Sequence, residues 1–322
     1  MIEIQIHKEA DNSWNERLLN SKTGSIYHTV EYANFIIHKG WTPKFVTFLD
    51  NTGKIIGQIL LSTYSRFENR GIIKKIFGYV PGTKNQMYRW VFGPIVFDSK
   101  YGDQIYKKLS EYLLSQNCRI YGTEHPLEFN VMSRFHSKFS LTNWGTFLID
   151  LSKSKDELWK NLDKHSAKKN IERSQNRGVQ VNEMTFQDLK EYFDLLKETK
   201  SKVNWDINFD EVSLLWNTLK PVGFTGFIAK FENMPVGGLL VSHFNNYINE
   251  WGVGRTEFDY TNKLYSQDLI KWKIIEWGIT NKFHYYDLTG VNPTPQSQKE
   301  TGIFRYKRKW GGDLIKYQIC KY

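Results

Sequence analysis

Two segments, well separated along this sequence, repeat the pattern of one β-hairpin. Residues 45–62 read FVTFLDNTGKIIGQILLS, and residues 227–242 read FIAKFENMPVGGLLVS. Each has an apolar strand, a turn with an acidic residue and an asparagine, and a second apolar strand. The second strands also share a Gly-x-x-Leu-x-Ser register. This recurrence favours duplication of a larger unit over chance similarity between two hairpins.

The elements around the two hairpins are predicted in the same order. A helix lies just upstream of each hairpin, over Val30–His38 and Asp210–Leu219. A strand, a helix and a strand follow downstream, in the first half over Trp90–Phe97, Tyr101–Gln116 and Arg119–Thr123, and in the second over Tyr247–Val253, Leu264–Thr280 and His284–Leu288. The sequence therefore predicts an α/β protein of two similar mixed-sheet units with a cleft between them. We expect units of residues 1–150 and 151–312.

Length and composition agree with two folded domains. The chain has 322 residues, of which 40% are hydrophobic and 16% aromatic, enough for substantial cores. Its 44 Lys and Arg against 34 Asp and Glu give a formal charge of +10. Such an excess favours an anionic partner, such as nucleic acid, a nucleotide-linked substrate or a phospholipid headgroup. A charged, solvated surface without a specific partner explains it equally well.

Several functional classes lose support from what the sequence lacks. Cys118 and Cys320 are too few and too far apart for a disulfide framework or a zinc site, and the eight histidines are scattered. P-loop, dinucleotide-binding, zinc-protease and serine-hydrolase signatures are missing. The sequence has neither the apolar core of a signal peptide nor an apolar run of about 20 residues. We therefore expect a cytoplasmic protein with free thiols.

A strongly basic helix is predicted at the start of the second half. Ser154 and Glu157 form a capping box at its beginning, and Gly178 supplies the left-handed residue at its end. Cations recur every four residues in two rows, which are Lys160, Lys164 and Lys168, and Lys169, Arg173 and Arg177. Such rows are typical either of a phosphate-contacting surface or of a solvated helix face. The candidate phosphate or tRNA contacts are Lys164, Lys168, Lys169 and Arg173.

The last part of the sequence combines groups that suit a substrate site. A strand-like segment, HYYDLTG over residues 284–290, carries a carboxylate at Asp287 and a turn at Gly290. A polar loop follows, and then the basic and aromatic run GIFRYKRKWGG over residues 302–312. Because α/β proteins commonly bind substrates beyond the ends of their strands, we expect the functional site here.

Together these segments resemble the FemABX peptidyltransferases, tandem acyltransferase folds of the GCN5-related (GNAT) kind that add amino acids from aminoacyl-tRNA to cell-wall precursors. The first half is similar in HTVEYANFIIHKGWTPKFVTF and RWVFGPIVFD, and the second in the basic helix, in YYDLTGV and in GIFRYKRKWGG. The order and spacing of these segments over nearly the whole chain carry the resemblance. It implies two tandem GNAT-like domains, with residues 313–322 completing the first.

The resemblance implies roles for particular residues. Tyr306 and Lys307 fall on the family's aromatic-lysine pair, and Trp310 completes that motif. Lys307 would be catalytic, because its cation would stabilise the oxyanion formed when an amine attacks the aminoacyl ester. Tyr306 would shape the donor channel. Asp287 would orient the loop at Gly290 rather than act as a base.

The expected contacts to the acceptor depart from the family's pattern. Where the family has a lysine on a first-domain helix, the candidates are His38 and Lys39. An arginine expected near residues 201–209 is missing unless Lys202 replaces it. The chain also lacks the helical-hairpin insertion of some members, and so resembles the compact form. The candidate substrate-binding residues are Tyr306, Trp310, Gly290, Asp287, Lys39 and His38.

Three functional hypotheses follow. The first is an aminoacyltransferase with aminoacyl-tRNA as co-substrate, a nucleotide- or lipid-linked peptidoglycan-type precursor as acceptor, peripheral membrane contact, and no metal or redox cofactor. The alternative is an acyl-CoA-dependent N-acyltransferase on an amino sugar or polysaccharide precursor. The segment after Tyr247–Val253 lacks the glycine turn that would cradle the CoA pyrophosphate. The third is a non-catalytic nucleic-acid-binding protein that uses its basic helix and its aromatic-rich tail, in which FRYKRKW would suit single-stranded RNA.

Overall fold

The computed structural model describes residues 2–65, 86–128, 132–135, 137–201 and 208–322. The chain divides into two compact units, one made of Met1–Gly145 and Lys316–Tyr322 and the other of Thr146–Ile315. The chain passes from one unit to the other at two boundaries, and both lie inside strands. The first boundary is within Ser140–Asp150 and the second is within Asp313–Lys321. The first unit is therefore assembled from two separate parts of the chain.

The first unit is built on a mixed sheet. Its helices and strands, named in chain order, are β1 (Glu3–His7), α1 (Trp14–Leu19), α2 (Val30–His38), β2 (Thr42–Leu49), β3 (Ile55–Ser65), β4 (Gln86–Trp90), β5 (Ile95–Val96), α3 (Gly102–Ser115) and β6 (Arg119–Thr123), with parts of β7 (Ser140–Asp150) and β13 (Asp313–Lys321). Short 3-10 turns occupy Ile26–His28, Ser99–Tyr101 and Met132–Arg134. The strand order is β1-β2-β3-β4-β6-β13, and β5 pairs with β3. The β4–β6 pair is parallel, whereas β1–β2, β2–β3, β3–β4, β3–β5 and β6–β13 are antiparallel.

Helix α3 supplies much of the first core. Its buried residues recur every four positions at Ile105, Leu109 and Leu113, so they form one apolar stripe. This stripe belongs to the same buried cluster as Ile59 and Trp90 of the sheet. The alternation of apolar residues in the first hairpin is thus explained by burial against a helix.

The predicted single strand Trp90–Phe97 is wrong. Strand β4 ends at Trp90, Phe92 has a left-handed backbone (φ 58°), and the peptide bond between Gly93 and Pro94 is cis. Trp90, Phe92 and Ile95 are buried as expected, but a turn separates the segment into two short strands. Burial alone therefore misled the prediction, because an apolar run can also line a tight turn.

The second unit repeats the plan of a mixed sheet covered by helices. Its remaining elements are α4 (Lys155–Asn161), α5 (Lys169–Asn176), β8 (Gln180–Glu183), α6 (Leu189–Ser201), α7 (Phe209–Gly223), β9 (Phe224–Phe231), β10 (Met234–Phe244), β11 (Tyr247–Arg255), α8 (Glu257–Thr261), α9 (Ser266–Thr280), β12 (Tyr285–Val291) and α10 (Gln298–Arg308), with a 3-10 turn at Phe186–Asp188. The strand order is β7-β12-β11-β10-β9-β8. The β11–β12 pair is parallel, whereas β8–β9, β9–β10 and β10–β11 are antiparallel. The predicted capping box at Ser154 is present, and Gly178 has the expected left-handed φ of 84°.

The predicted basic helix is interrupted at Asp163. Helix α4 ends before this residue, and the Asp163 carboxylate accepts a hydrogen bond from the backbone N–H of Ser166 (2.8 Å). It thereby caps a π-helical turn, Lys164–Lys168, that leads into α5. The prediction that Lys160, Lys164 and Lys168 form one row of cations is therefore wrong, because these residues lie on different helical segments.

Helix α9 is the central helix of the second core. Leu269, Ile270, Ile274 and Ile275 are all buried in it and belong to one cluster with Tyr286 of β12. Helix α10, by contrast, has no fully buried residue. The basic run GIFRYKRKWGG is thus mainly a helix on the surface of this unit.

None of the helices in the described ranges is long and apolar enough to cross a lipid bilayer.

Candidate functional site

The second unit has a pocket where two parallel strands separate. Strands β11 and β12 pair through Tyr247–Asn249 and Tyr285–Asp287, and the pairing stops there. Beyond this point a pocket of about 1060 Å³ opens, with walls from β11, β12, α8, α9 and α10. Crevices at the carboxyl ends of strands are common ligand sites in α/β proteins. The two strands therefore create the site by diverging.

Asp287 of β12 organises the wall behind this pocket. Its buried carboxylate accepts hydrogen bonds from the hydroxyls of Thr146 and Tyr247 and from the amide of Asn249. It also accepts the backbone N–H of Thr289 at 2.6 Å. Burial raises the pKa of Asp287, and the hydrogen bonds oppose that rise. Because all its acceptors are engaged within the protein, Asp287 is a positioning residue for the Thr289 turn.

Lys307 of α10 reaches this turn from the other side of the pocket. Its Nζ donates to the carbonyl of Thr289 (3.1 Å) and to the carbonyl of Gly290 (2.8 Å). Thr289 has a left-handed backbone (φ 63°), which the bond to Asp287 helps to hold. An ammonium group has three N–H donors. The third has no acceptor within the described part of the chain, and Lys307 lines the pocket.

The side chain of Lys307 is largely removed from water. Burial lowers its pKa below the ordinary lysine value, while Glu250 acts in the opposite direction and Lys271 acts with burial. A partly desolvated cation interacts more strongly with an anion than a fully hydrated one does. This geometry allows Lys307 to stabilise negative charge that develops on a ligand in the pocket.

Three ion pairs form the charged floor and side of the pocket. They are Lys271 with Glu250, Lys309 with Asp268 and Arg255 with Asp259. The first pair is almost fully buried, and its Glu250 also accepts the hydroxyl of Tyr286 at 2.6 Å. Such a floor disfavours a bulky apolar ligand group, because desolvating ion pairs without new partners is costly.

Tyr306 lies between two of these cations. Its ring is 4.2 Å from the Nζ of Lys309 and 5.8 Å from that of Lys271, measured to the ring centroid. Burial raises its phenolic pKa well above the ordinary value, and Asp268 acts in the same direction. The phenol therefore stays protonated near neutral pH, so Tyr306 shapes the pocket and can donate a hydrogen bond but does not act as a base.

The buried ion pairs were missed in the sequence. Lys271 lies in the otherwise apolar stretch LIKWKIIEW, and Asp268 precedes it at the start of the same helix. Charged residues are rarely fully buried unless they are paired. Since Lys271 is only 3% exposed, its position within a buried helix was the available signal.

The predicted residues of the second unit do not all reach the pocket. Tyr306 and Lys307 line it. Gly290 contributes the carbonyl that Lys307 contacts. Trp310 is 1% exposed and packs in the core of the unit, and Asp287 is fully engaged behind the wall. The expectation that Trp310 and Asp287 contact a substrate directly is therefore replaced by a supporting role.

The predicted acceptor residues belong to the first unit. His38 ends α2 and Lys39 follows it, and both side chains are exposed. Neither lines the pocket of the second unit. Lys202, the candidate replacement for the missing arginine, lies outside the described residues.

The predicted phosphate contacts lie around the interrupted basic helix. Lys164, Lys169 and Arg173 are exposed. Lys168 is half-buried, and its Nζ donates to the carbonyl of Lys160 at 3.1 Å. None of these four candidates lines the pocket, to which α5 contributes Asn170 instead. The pocket and the basic surface are therefore separate features.

Comparisons with known proteins give a match to one family model over part of the chain and a similar fold over nearly all of it. Residues 133–209 match the model of the FemAB family. The solved structure of FemX has a TM-score of 0.72 to this chain at 12% identity, over 98% of this chain and 96% of that one. L-PGS from Bacillus licheniformis has a TM-score of 0.60 at 11% identity, over 99% and 93% of the two chains. No curated protein matches the sequence.

A third solved structure is relevant to the predicted duplication of the α/β unit. A tandem GNAT protein from the clavulanic acid biosynthesis pathway has a TM-score of 0.52 at 10% identity, covering 100% of this chain and 97% of that chain. The predicted fold of two GNAT-like domains with mixed sheets is thereby confirmed. Residues 133–209 of this chain thus match the FemAB family model, and the fold over nearly its whole length is similar to that of FemX and of a tandem GNAT protein.

Proposed function

We propose that this protein transfers an aminoacyl group from aminoacyl-tRNA to an amine of a cell-envelope precursor. The single observation that carries the proposal is the position of Lys307. Its ammonium is held by two backbone carbonyls in a pocket, and among the described residues its third N–H has no acceptor. A preorganised cation of this kind suits a reaction in which an oxyanion develops.

The proposed reaction is an acyl transfer between an ester and an amine. The acceptor nitrogen attacks the ester carbonyl, and the Lys307 ammonium stabilises the oxyanion of the tetrahedral intermediate. Collapse of this intermediate breaks the bond to the ribose oxygen and forms the amide. The proton lost by the amine ends on the departing ribose hydroxyl, directly or through water. No redox change or further co-reactant is needed.

The start of α9 favours tRNA over CoA as the donor. CoA-dependent transfer needs free backbone N–H groups at a helix start to hold the pyrophosphate. Here the N–H of Ser266 already donates to the Asp259 carboxylate at 2.9 Å. Asp268 adds a second carboxylate in the first turn of the helix. The backbone N–H of Ser266, which a pyrophosphate at this helix start would need, is therefore already occupied by a side chain of the protein.

The proposed acceptor is an amine of a nucleotide- or lipid-linked peptidoglycan precursor. Two observations support an envelope acceptor, namely the FemAB match and the family resemblance in the C-terminal motifs. His38 and Lys39 are proposed as acceptor contacts, and Lys164, Lys168, Lys169 and Arg173 as contacts to tRNA phosphates. A lysylphosphatidylglycerol synthetase domain is among the proteins with a similar fold, so a lipid acceptor belongs among the substrates to be tested.

The test follows label from a radioactive aminoacyl-tRNA pool into an envelope-precursor extract. Transfer into an RNase-resistant product is expected with the wild-type protein. Lys307→Ala should lower the turnover number about 100- to 1000-fold, as loss of one oxyanion donor does elsewhere. Lys153→Ala is the matched control, since Lys153 is an exposed lysine of the same unit that does not line the pocket. Absence of tRNA-dependent transfer, together with turnover of acyl-CoA, would contradict the proposal.

A further inference from the structure

A buried threonine lies behind the wall of the pocket. Thr146 of β7 is 0% exposed, and β7 is next to β12 in the sheet. Its hydroxyl is within hydrogen-bond distance of the Asp287 carboxylate and is 2.8 Å from the carbonyl oxygen of Thr289. Because a hydroxyl has a single proton, these two acceptors share it. Thr146 therefore links the carboxylate to the turn that follows it.

The carbonyl of Thr289 is also one of the two that hold Lys307. It accepts the Lys307 ammonium at 3.1 Å. A carbonyl oxygen has two lone pairs, so the Thr146 hydroxyl and the Lys307 ammonium use the two acceptor positions of one oxygen. Any movement of this oxygen relative to Thr146 would displace an acceptor of Lys307. The position of the ammonium thus depends on a residue that does not line the pocket.

The backbone of Thr289 needs support from its surroundings. Its φ of 63° is unfavourable for a β-branched residue. Such a conformation persists only where the surrounding structure holds it. Asp287 holds the N–H of Thr289 at 2.6 Å, and Thr146 holds its carbonyl at 2.8 Å. Both polar groups of this strained residue are therefore fixed by side chains behind the wall.

Strand β7 also contacts the helix that carries Lys307. Phe147, the residue after Thr146, is 3% exposed and packs edge-to-face on Phe304 of α10, with 5.1 Å between the ring centroids. Phe304 and Lys307 are three positions apart and so are neighbours on this helix. Consecutive residues of β7 therefore contact the acceptor carbonyl and the helix from which the ammonium extends.

We propose that Thr146 is a positioning residue for the transfer reaction, because its hydroxyl fixes the Thr289 carbonyl and thereby orients the Lys307 ammonium in the pocket. This inference rests on the proposed function, in which that ammonium stabilises the oxyanion. Such stabilisation depends on geometry set before the reaction, and a displacement of about 1 Å can cost about 100-fold in rate. Thr146 acts through Lys307 and does not itself contact the substrate.

Thr146→Val tests the hydroxyl, since valine keeps the shape of the side chain. The kcat of transfer from aminoacyl-tRNA should fall about 10- to 100-fold, while the KM for aminoacyl-tRNA should not change, because Lys307 is proposed to act on the transition state. Thr146→Ser restores the hydroxyl and should recover most of the rate. If Thr146→Ser is as slow as Thr146→Val, or if Thr146→Val is as fast as the wild type, the hydroxyl does not position Lys307 and the inference is wrong.

Thr225→Val is the matched control for the loss of a buried hydroxyl. Thr225 of β9 is also 0% exposed, its hydroxyl donates to the Glu183 carboxylate at 2.7 Å, and it does not line the pocket. Rates are compared under conditions in which urea denaturation shows every variant to be folded. Thr225→Val should transfer like the wild type. A fall in its kcat equal to that of Thr146→Val would show a general effect of losing a buried hydroxyl and would overturn the inference.

Lysine labelling separates this inference from the proposed function, because it needs no turnover. Acetic anhydride reacts with neutral amines, so the labelling of Lys307 relative to the exposed Lys153, measured by peptide mass spectrometry, reports how firmly the Lys307 ammonium is held. Thr146→Val should raise this ratio about fivefold, the factor that one hydrogen bond of ordinary strength contributes, and Thr146→Ser should not. Such a change without any aminoacyl transfer by the wild type would support the positioning role and contradict the proposed reaction. An unchanged ratio, with transfer by the wild type intact, would overturn the positioning role and leave the reaction standing.

Discussion

The ammonium of Lys307 loses hydration and gains two carbonyl acceptors. Burial is the larger effect, so the pKa of Lys307 lies below its ordinary value. Only the protonated form of Lys307 carries the positive charge that can stabilise an oxyanion. Activity should therefore decline as the pH rises through this lowered pKa, at a pH where an exposed lysine, with a pKa of about 10.4, is still charged.

The alkaline limb of the pH profile tests this role of Lys307. We expect the rate constant of single-turnover transfer to fall as the pH approaches the range in which ordinary lysines titrate. Lys307→Arg keeps its charge over the whole range, because a guanidinium does not titrate there. That variant should be slower than the wild type but should lose the alkaline limb. If both proteins show the same limb, another group is titrating and the assignment of Lys307 is wrong.

Asp287→Asn tests the carboxylate behind the pocket. Four donors point at Asp287, so an asparagine would place its own amide N–H groups against donors. The expected loss is about 1 to 3 kcal/mol in the free energy of unfolding, measured by urea denaturation. Thr146→Val removes only one of the donors and should cost about 1 kcal/mol. Equal costs would contradict a central role for the carboxylate.

The stability of Asp287→Asn should also depend on pH differently from the stability of the wild type. Burial raises the folded-state pKa of Asp287, so the folded protein holds this proton more tightly than the unfolded chain does. Its contribution to stability is present below the ordinary carboxyl pKa of about 3.9 and is lost as the pH rises through the raised value. Asp287→Asn cannot titrate, and this part of the decline should be absent from its stability curve.

At the scale of elements, the site depends on where β11 and β12 stop pairing. Both strands could be predicted from their apolar residues, and so could Tyr306 and Lys307 from their motif. The point of divergence could not, because it depends on tertiary packing, which the local apolar pattern does not specify. Partners distant in sequence were missed for the same reason. Lys271 and Glu250 meet only when the helix covers the strand.

The interruption of the basic helix is a second feature at the scale of helices and strands. Its two ends were predicted from the capping residue Ser154 and the terminal Gly178. The break was not predicted, because the cation spacing continues through it without change. Asp163 was the available signal, since aspartate is a preferred helix cap and it lies within the basic run.

Asp163→Asn tests the cap at this break. Hydrogen bonds from the hydroxyl and the backbone N–H of Ser166 lower the pKa of Asp163. Its stabilising effect is therefore present above the ordinary carboxyl pKa and is lost as the pH falls through the lowered value. Asparagine caps helices about as well as aspartate and does not titrate. Urea unfolding at pH 7 should barely distinguish the two proteins, whereas the wild type should lose more stability toward pH 2. Parallel pH curves would contradict the cap.

At the scale of the whole molecule, the chain returns to its first unit at the end. Strand β13 pairs with β6, with Cys320 opposite Gly122. The buried carboxylate of Glu124 accepts the backbone N–H of Gln318 at 2.7 Å. Duplication was visible in the sequence because both hairpins keep their own local pattern. The return of β13 was expected only from the family resemblance, because its short amphipathic pattern does not specify a partner strand.

Neighbouring residues of β13 provide a matched test of this return. Cys320 is fully buried in the first core and Lys321 is exposed, because successive side chains of a strand point to opposite faces. Cys320→Asp should destabilise the first unit by about 3 to 5 kcal/mol, since it buries an unpaired carboxylate. Lys321→Asp should change stability by less than about 0.5 kcal/mol. Hydrogen exchange should show loss of protection in β3 and β6 of Cys320→Asp, with β10 of the second unit still protected. Equal exchange in the two variants, or loss centred on β10, would show that β13 does not complete the first unit.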